Sequence, residues 1–212
     1  MDILNWLYAG KTGVSRATYD IIIIMSTSNN ATSAENQQER LIKIGWIIGF
    51  VDGEGCFSLG TVKQSDKEEQ NRIRKGYKLG VQISHEFVVT QGEKSLKSLL
   101  YIKDFFGVGK IFINKRYDNH REHLYRYTVR RREEILNVII PFFEKNHLKT
   151  AKKEDFKIFA HCIKLMNKGK HLEKEGLISI LKKIEKMNHR KSKQYLIKIL
   201  RNQTPKSTIK SR

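Results

Sequence analysis

Two carboxylates, Asp52 and Glu54, stand one residue apart at the end of an apolar run, in the stretch GWIIGFVDGEGCF at residues 45–57. Clustered carboxylates repel one another unless a cation lies between them, and hard oxygen ligands favour Mg²⁺. Beside a phosphodiester, such a cation polarises phosphoryl oxygen and activates water, which is hydrolytic chemistry. A plainer role is open to Asp52, that of a helix-end side chain accepting hydrogen bonds from backbone amides. The element that carries the pair is itself unusual. Gly45, Gly49 and Gly53 recur four apart and share one helical face, although each glycine costs a helix roughly 1 kcal/mol against alanine. Such a stripe lets a second backbone approach closely. That backbone is either one of this chain's own helices or the same helix of a second subunit, because the chain holds no other copy of the segment. The acids favour the second subunit: paired about a two-fold axis, two such helices set their carboxylates side by side.

The surrounding elements follow from periodicity. Residues 35–53 read as a helix that ends at Gly53 or Gly55. CFSLGTVKQ alternates, with Phe57, Leu59 and Thr61 on one face and Ser58, Gly60, Val62 and Gln64 on the other. SDKEEQNRIRKG reads as a polar connection. YKLGVQISHEFVVTQ is a second strand with Leu79, Val81, Ile83, Phe87 and Val89 inward and Lys78, Gln82, Ser84 and Glu86 outward. EKSLKSLLYIKDFFG is a helix stopped by Gly107. KIFINKRY and HLYRYTVR are two further strands, EEILNVIIPFFEKN is a helix interrupted near Pro141, and three basic helical segments complete the chain. The expected fold is α+β, in the order α-β-β-α-β-β-α plus C-terminal helices. Residues 1–34 read as a poorly ordered extension, 35–202 as a single domain and 203–212 as a basic tail.

Charge selects the partner. The 212 residues include 41 Lys+Arg against 22 Asp+Glu, a formal net charge of +19. An excess spread over mixed elements suits nucleic acid better than an anionic membrane surface. No apolar run reaches the roughly 18 residues of a membrane span. Cys56 and Cys162 form no CxxC pair, and reduced thiols in an intracellular compartment fit them best. His85, His123, His147, His161 and His171 show no metal-ligand spacing and are assigned to packing or solvent. The outward face of the four strands is polar and basic, suited to the major groove: Ser58, Gly60, Val62, Gln64, Lys78, Gln82, Ser84, Glu86, Lys110, Phe112, Asn114, Arg116, Arg126, Thr128 and Arg130. A one-residue slip would turn the fourth strand over.

IIGFVDGEG at residues 47–55 resembles the signature of the LAGLIDADG homing endonucleases, of the single-motif type. FVVTQ (87–91), FFGVGKIFI (105–113), IIPFFEKNHLKTAKKEDF (139–156) and HLEKEGL (171–177) are also similar to segments of that family. The resemblance covers residues 40–188 and implies a homodimer in which two motif helices form the interface. It implies a four-stranded antiparallel saddle sheet over double-stranded DNA, with helices on its other face. It makes Glu54 the metal-ligating acid, one from each subunit, with the Gly53 carbonyl as a further ligand, and places Asp52 at the dimer interface. Gln91 falls at a polar position that helps place water, and Lys149 or Lys152 at the basic position that stabilises phosphate charge. Mg²⁺ is the implied cofactor, with Mn²⁺ as a substitute. The implied reaction cuts both strands of a long, nearly palindromic target and leaves 3′ overhangs. Two rivals share the scaffold: an RNA-binding intron maturase acting on its own intron RNA, and a DNA-binding regulator without catalysis. Glu54 with Lys149 and Lys152 favours the nuclease, since a maturase need not keep them. An intron-type protein of this Lys/Ile-rich composition suggests an organelle, mitochondrion or plastid, or a bacterial cytoplasm.

Overall fold

The computed structural model describes residues 33–63, 67–69, 72–74, 76–115, 122–187 and 192–202. The expectations for residues 1–32, for the tail 203–212, and for Gln64 and Arg116 lie outside these. The chain divides into two units, Met1–Ile44 and Gly45–Arg212. Of the first, the described part is the opening of helix α1 (Ser33–Glu54), where Glu39 and Lys43 form an ion pair one turn apart.

The second unit takes the end of α1 directly into strand β1 (Gly55–Lys63). Gly55 makes this junction possible: a Cβ there would lie 2.6 Å from Val51 Cγ1. Strand β4 (Val81–Gly92) returns antiparallel to β1, pairing Phe57 with Phe87 and Ser58 with Glu86. A turn Glu93–Ser95 leads into α2 (Leu96–Phe106). Gly107 ends α2 as expected, at φ 66°, a left-handed conformation in which its N–H reaches the Lys103 carbonyl. Strands β5 (Lys110–Asn114) and β6 (Leu124–Val129) follow, and the sheet order is β1-β4-β6-β5, all antiparallel.

The segment read as a polar connection carries more structure than its composition suggested. Lys67–Glu69 (β2) and Arg72–Arg74 (β3) pair antiparallel as a separate two-stranded ribbon, with Glu69 across from Arg72 in register. The segments KEE and RIR are too short and too polar for a hydrophobic alternation to have announced them.

Helix α3 comprises Arg132–Glu134, a π-helical turn Ile135–Ile139, and Ile140–Lys145. Pro141 explains the wide turn. It lacks an N–H, and its ring would crowd the carbonyl four residues back, so the helix opens just before it. Helices α4 (Lys152–Asn167), α5 (Lys174–Ile184) and α6 (Gln194–Asn202) complete the chain. They fall on the segments read as basic helices, with α4 and α6 running one and two residues further than expected.

One sheet face is covered. Phe57 and Phe87 stack at 5.1 Å between centroids, and Phe143 of α3 with Phe156 and Phe159 of α4 close around Phe57 at 5.0–5.5 Å. Tyr127 is fully buried on this side, its hydroxyl donating to the Val108 carbonyl at 3.0 Å. Tyr125, Tyr127 and Val129 all point into the core, so β6 is not turned over. The other face carries the polar residues.

Candidate active site and nucleic-acid interface

The end of α1 gathers charge from one distant segment. Asp52 points at the loop before α4. Its Oδ2 accepts the Lys149 amide at 2.6 Å, its Oδ1 accepts the Thr150 hydroxyl at 2.7 Å, and the Thr150 amide lies 3.3 Å from Oδ2. Partial burial would raise the Asp52 pKa, but these bonds and the Lys152 charge overcome it and hold the carboxyl below the usual aspartate range. Of the two roles open to Asp52, the backbone-anchoring one is realised within the chain. Its carboxylate is directed at its own loop.

That anchor sets the phase of α4. Lys152, the first residue of the helix, turns its ammonium onto the C-terminal end of α1 and donates to the Val51 carbonyl at 2.9 Å and the Gly53 carbonyl at 3.2 Å. A cation is favoured there, because the last carbonyls of a helix are unpaired and carry partial negative charge. Burial holds the Lys152 pKa below the usual lysine range, while Asp52, Cys56, Glu54 and Asp155 pull it back up. Lys149 presents its backbone amide to Asp52 and leaves its side chain exposed. The structure therefore brings Lys152, not the Lys149 ammonium, to the carboxylate pair.

Glu54, the last residue of α1, is exposed. Gln91 is half-buried near the end of β4, two residues past the Gly55–Val89 pair and so at the sheet end where α1 passes into β1. Among the described residues no group of three or more His, Cys, Asp and Glu side chains is placed to hold a metal ion. Asp52 is taken up by residues 149 and 150 and Lys152 shares the Val51 and Gly53 carbonyls, so the hard oxygens left at this helix end are the Glu54 carboxylate and the second lone pair of the Gly53 carbonyl. They fit part of a Mg²⁺ shell, an ion that keeps several waters and takes only one or two carboxylates.

The glycine face is open. Gly45, Gly49 and Gly53 are exposed, and a Cβ added at any of them would meet nothing within 4 Å. Among the described residues no helix fills the stripe. Trp46, 39% exposed, stacks on Phe50 at 4.8 Å and meets Tyr101 edge-on at 5.1 Å.

On the polar sheet face, the pairing sets Ser58, Gly60 and Val62 across from Glu86, Ser84 and Gln82. Lys110 lies across from Thr128, Phe112 from Arg126 and Asn114 from Leu124. Glu86 joins two arginines from further along the chain: Arg126 Nη2 reaches its Oε1 and Arg130 Nε its Oε2, each at 3.0 Å. Arg130 also sits over the Phe112 ring, 5.7 Å from its centroid. Ser84, Lys110, Phe112 and Asn114 are exposed. Gly60 approaches closely, since a Cβ there would fall 2.5 Å from Ser84 Oγ.

Two expected members of this face are not presented to solvent in the strand. Thr128, next to last in β6, is on the correct side but only 3% exposed. Lys78 is in the turn before β4, not in the strand, and lines a cavity with helix-side residues. The sequence reading missed Thr150 as a partner of Asp52 and Glu86 as the link between two arginines. Neither leaves a local signal, because the partners are 98, 40 and 44 positions apart.

The LAGLIDADG endonuclease family model matches residues 47–163, more than half of the chain. A probable intron-encoded endonuclease 2 of Neurospora crassa is 32% identical over 144 residues, covering 68% of this chain and 28% of that protein. An uncharacterised protein in ND4 intron 1 of Podospora anserina is 32% identical over 131 residues, covering 61% and 25%. The chain spans about a quarter of the length of these curated relatives. Among solved structures, the homing endonuclease I-TnaI is similar at 35% identity and a TM-score of 0.58, over 74% of this chain and 95% of that one. The meganuclease I-SmaMI bound to uncleavable DNA is similar at 30% identity and 0.59, over 70% and 46%. Sheet order, motif helix and sequence agree, and the chain belongs to the LAGLIDADG endonuclease family.

Proposed function

We propose that this chain is a site-specific DNA endonuclease that works as a homodimer with Mg²⁺ on a long, nearly palindromic target, leaving 3′ overhangs. The observation that carries the reading is the end of α1, where exposed Glu54 lies beside Lys152 Nζ at the foot of an open glycine stripe. An exposed stripe that no described helix of this chain fills suits a second copy of α1. The chain also covers 46% of the DNA-bound I-SmaMI chain, as one half of a two-part unit would.

In that assembly Glu54 from each copy, with the Gly53 carbonyl, holds the cation. When bound, Mg²⁺ polarises the phosphoryl oxygen and activates water. Lys152 supplies positive charge where the phosphate becomes more negative, and Gln91 orients the attacking water. The sheet face carries affinity and readout through Gln82, Ser84, Lys110, Asn114, Arg126 and Arg130, with Arg116 and Gln64 as further candidates. The intron-encoded relatives favour a setting in an organelle or a bacterium.

The test is a plasmid carrying the intron insertion site, incubated with and without Mg²⁺, with the protein's mass followed by sedimentation. Double-strand cleavage that requires Mg²⁺, is lost in Glu54→Gln and comes from a dimer is the expected result. Normal cleavage by Glu54→Gln, or cutting of both strands by a 24.8 kDa monomer, sinks the assignment. Binding of intron RNA with no DNA cleavage would move the chain to the maturase reading.

A further inference from the structure

A second site lies on the helix-covered side of the sheet. A cavity of about 410 Å³ opens between the turn before β4, the first half of β4, the start of α3, the end of α4 and the turn Lys170–Leu172. That volume falls within the range of small-molecule pockets, about 300–1,000 Å³. Its lining includes Tyr77, Lys78, His85, Arg132, His171 and Leu172, and among the described residues it includes no Asp or Glu. Three of these side chains bring nitrogen atoms that are buried yet lack a hydrogen-bond partner: both ring nitrogens of His85, Nδ1 of His171 and Nε of Arg132. Arg132 has only part of its fork committed, Nη1 donating to the Met166 carbonyl at 3.2 Å. Buried polar groups without partners are costly; a neutral imidazole carries one N–H and a protonated one two, so together with Arg132 Nε these side chains can aim donors at an acceptor-rich ligand.

From this geometry we infer that the cavity is an oxyanion site for a phosphate group, carried by a small phosphate monoester or by the end of a nucleic-acid strand. The donors come from three separate elements, which suits oxygens pointing in several directions better than a planar carboxylate that one guanidinium fork would hold. Tyr77 and Leu172, 48% and 59% exposed at the rim, offer apolar surface to whatever the phosphate carries.

The electrostatics agree. Burial, then the Arg132 charge, then His171 hold the His85 pKa below the usual histidine range, and an interaction with the Ile83 backbone offsets only part of this. Burial and then the Arg132 charge lower the His171 pKa too, and a hydrogen bond with the Met166 backbone offsets part of this. The charged and titratable groups facing these rings are Lys78 from the turn, Arg132 from α3 and the other histidine. An anion among them favours the imidazolium form, so binding raises both pKa values and strengthens as pH falls.

The experiment uses the full chain with inorganic phosphate, adenosine 5′-monophosphate and acetate as probes, following the imidazole resonances of His85 and His171 by NMR. The expected result is saturable movement of both resonances by phosphate, a rise in both pKa values, and tighter binding at about pH 6 than at about pH 8. Arg132→Met and His171→Gln each weaken phosphate roughly tenfold or more. His171→Gln and Lys78→Met decide the matter if Arg132→Met fails to fold. Resonances that ignore phosphate, that respond equally to acetate, or that titrate unchanged in His171→Gln and Lys78→Met overturn the proposal. Adenosine 5′-monophosphate binding tighter than phosphate assigns the site to a free nucleotide. A 5′-phosphorylated oligonucleotide that moves the resonances where its 5′-hydroxyl counterpart does not assigns it to a strand end. No readout involves DNA cleavage, so this site stands or falls apart from the proposed nuclease.

Discussion

The end of α1 and the polar face of the sheet both hold charge, and they hold it in opposite ways. At the helix end the groups are fixed by backbone: Asp52 takes amides from the loop before α4, and Lys152 sits on two helix carbonyls. On the sheet the links run between side chains, Glu86 to Arg126 and Arg130, and Ser84, Lys110 and Asn114 stand open to solvent. Backbone partners cannot rearrange without moving an element. Side-chain partners exchange at the cost of a rotamer and a solvent-screened ion pair. The first arrangement suits chemistry at one fixed phosphate and the second suits adjustment to base edges.

The comparison is broken or sharpened by changing each region in turn, and the largest effect belongs to the sheet. With about ten phosphates contacted by a +19 chain, affinity for DNA should fall on the order of 10³–10⁵-fold between about 50 and 200 mM salt. A nearly flat salt dependence in a filter-binding titration would mean that this face does not meet a polyanion.

Next in size is the helix end. Lys152→Met should slow cleavage on the order of 10²–10³-fold with little change in binding, as for loss of one fixed charge-stabilising donor. Lys149→Met should leave single-turnover rates near normal, because its backbone amide, not its ammonium, engages Asp52. The reverse pattern would show that the helix end is not the fixed partner it is taken to be.

Glu86→Gln addresses the sheet's side-chain links. With its charge removed, Arg126 and Arg130 are released, and discrimination at one or two base pairs should change by roughly 1–3 kcal/mol, with cleavage chemistry intact. Uniform weakening or tightening across all targets in a binding-site selection would reassign the pair to phosphate.

The smallest effect concerns stability. The folded pKa of Asp52 lies below its ordinary value, so its contribution is present above the unfolded value of about 3.8 and is lost as pH falls through the folded one. Asp52→Ala should lower unfolding stability by roughly 0.5–1.5 kcal/mol at neutral pH, since its hydrogen bonds are solvent-exposed. The variant and the unaltered chain should converge in acid, which denaturant titrations at several pH values would reveal. A constant gap across the acid range would show that the carboxylate charge does not matter to the anchor.

Much of the fold was legible because its signals are local. Alternation in β1, β4 and β6 sorted the two faces, a glycine marked the end of α2, and Pro141 marked the break in α3. The same locality explains the errors. A turn places Lys78 outside the strand that its alternation suggested, and the charged ribbon β2–β3 has no apolar period to read. Thr128 carries the right parity, yet it is buried in a strand paired on both sides, with Val88 and Lys110 across from it.

The sequence by itself determined that α1 would end at a glycine-flanked pair of acids and that four alternating strands would share a polar, basic face. Both are properties of neighbouring residues, set by helix and strand periods of a few positions. Only the tertiary structure decided what those acids do. Asp52 and Glu54 are two residues apart, but one faces the amides of residues 149 and 150 and the other faces solvent. Likewise Lys149 and Lys152 are three positions apart, one in the loop before α4 and one at its first residue, and packing of α4 against the core brings the Lys152 ammonium to α1. Such choices rest on contacts about a hundred residues long, made only when Phe156 and Phe159 close on Phe57.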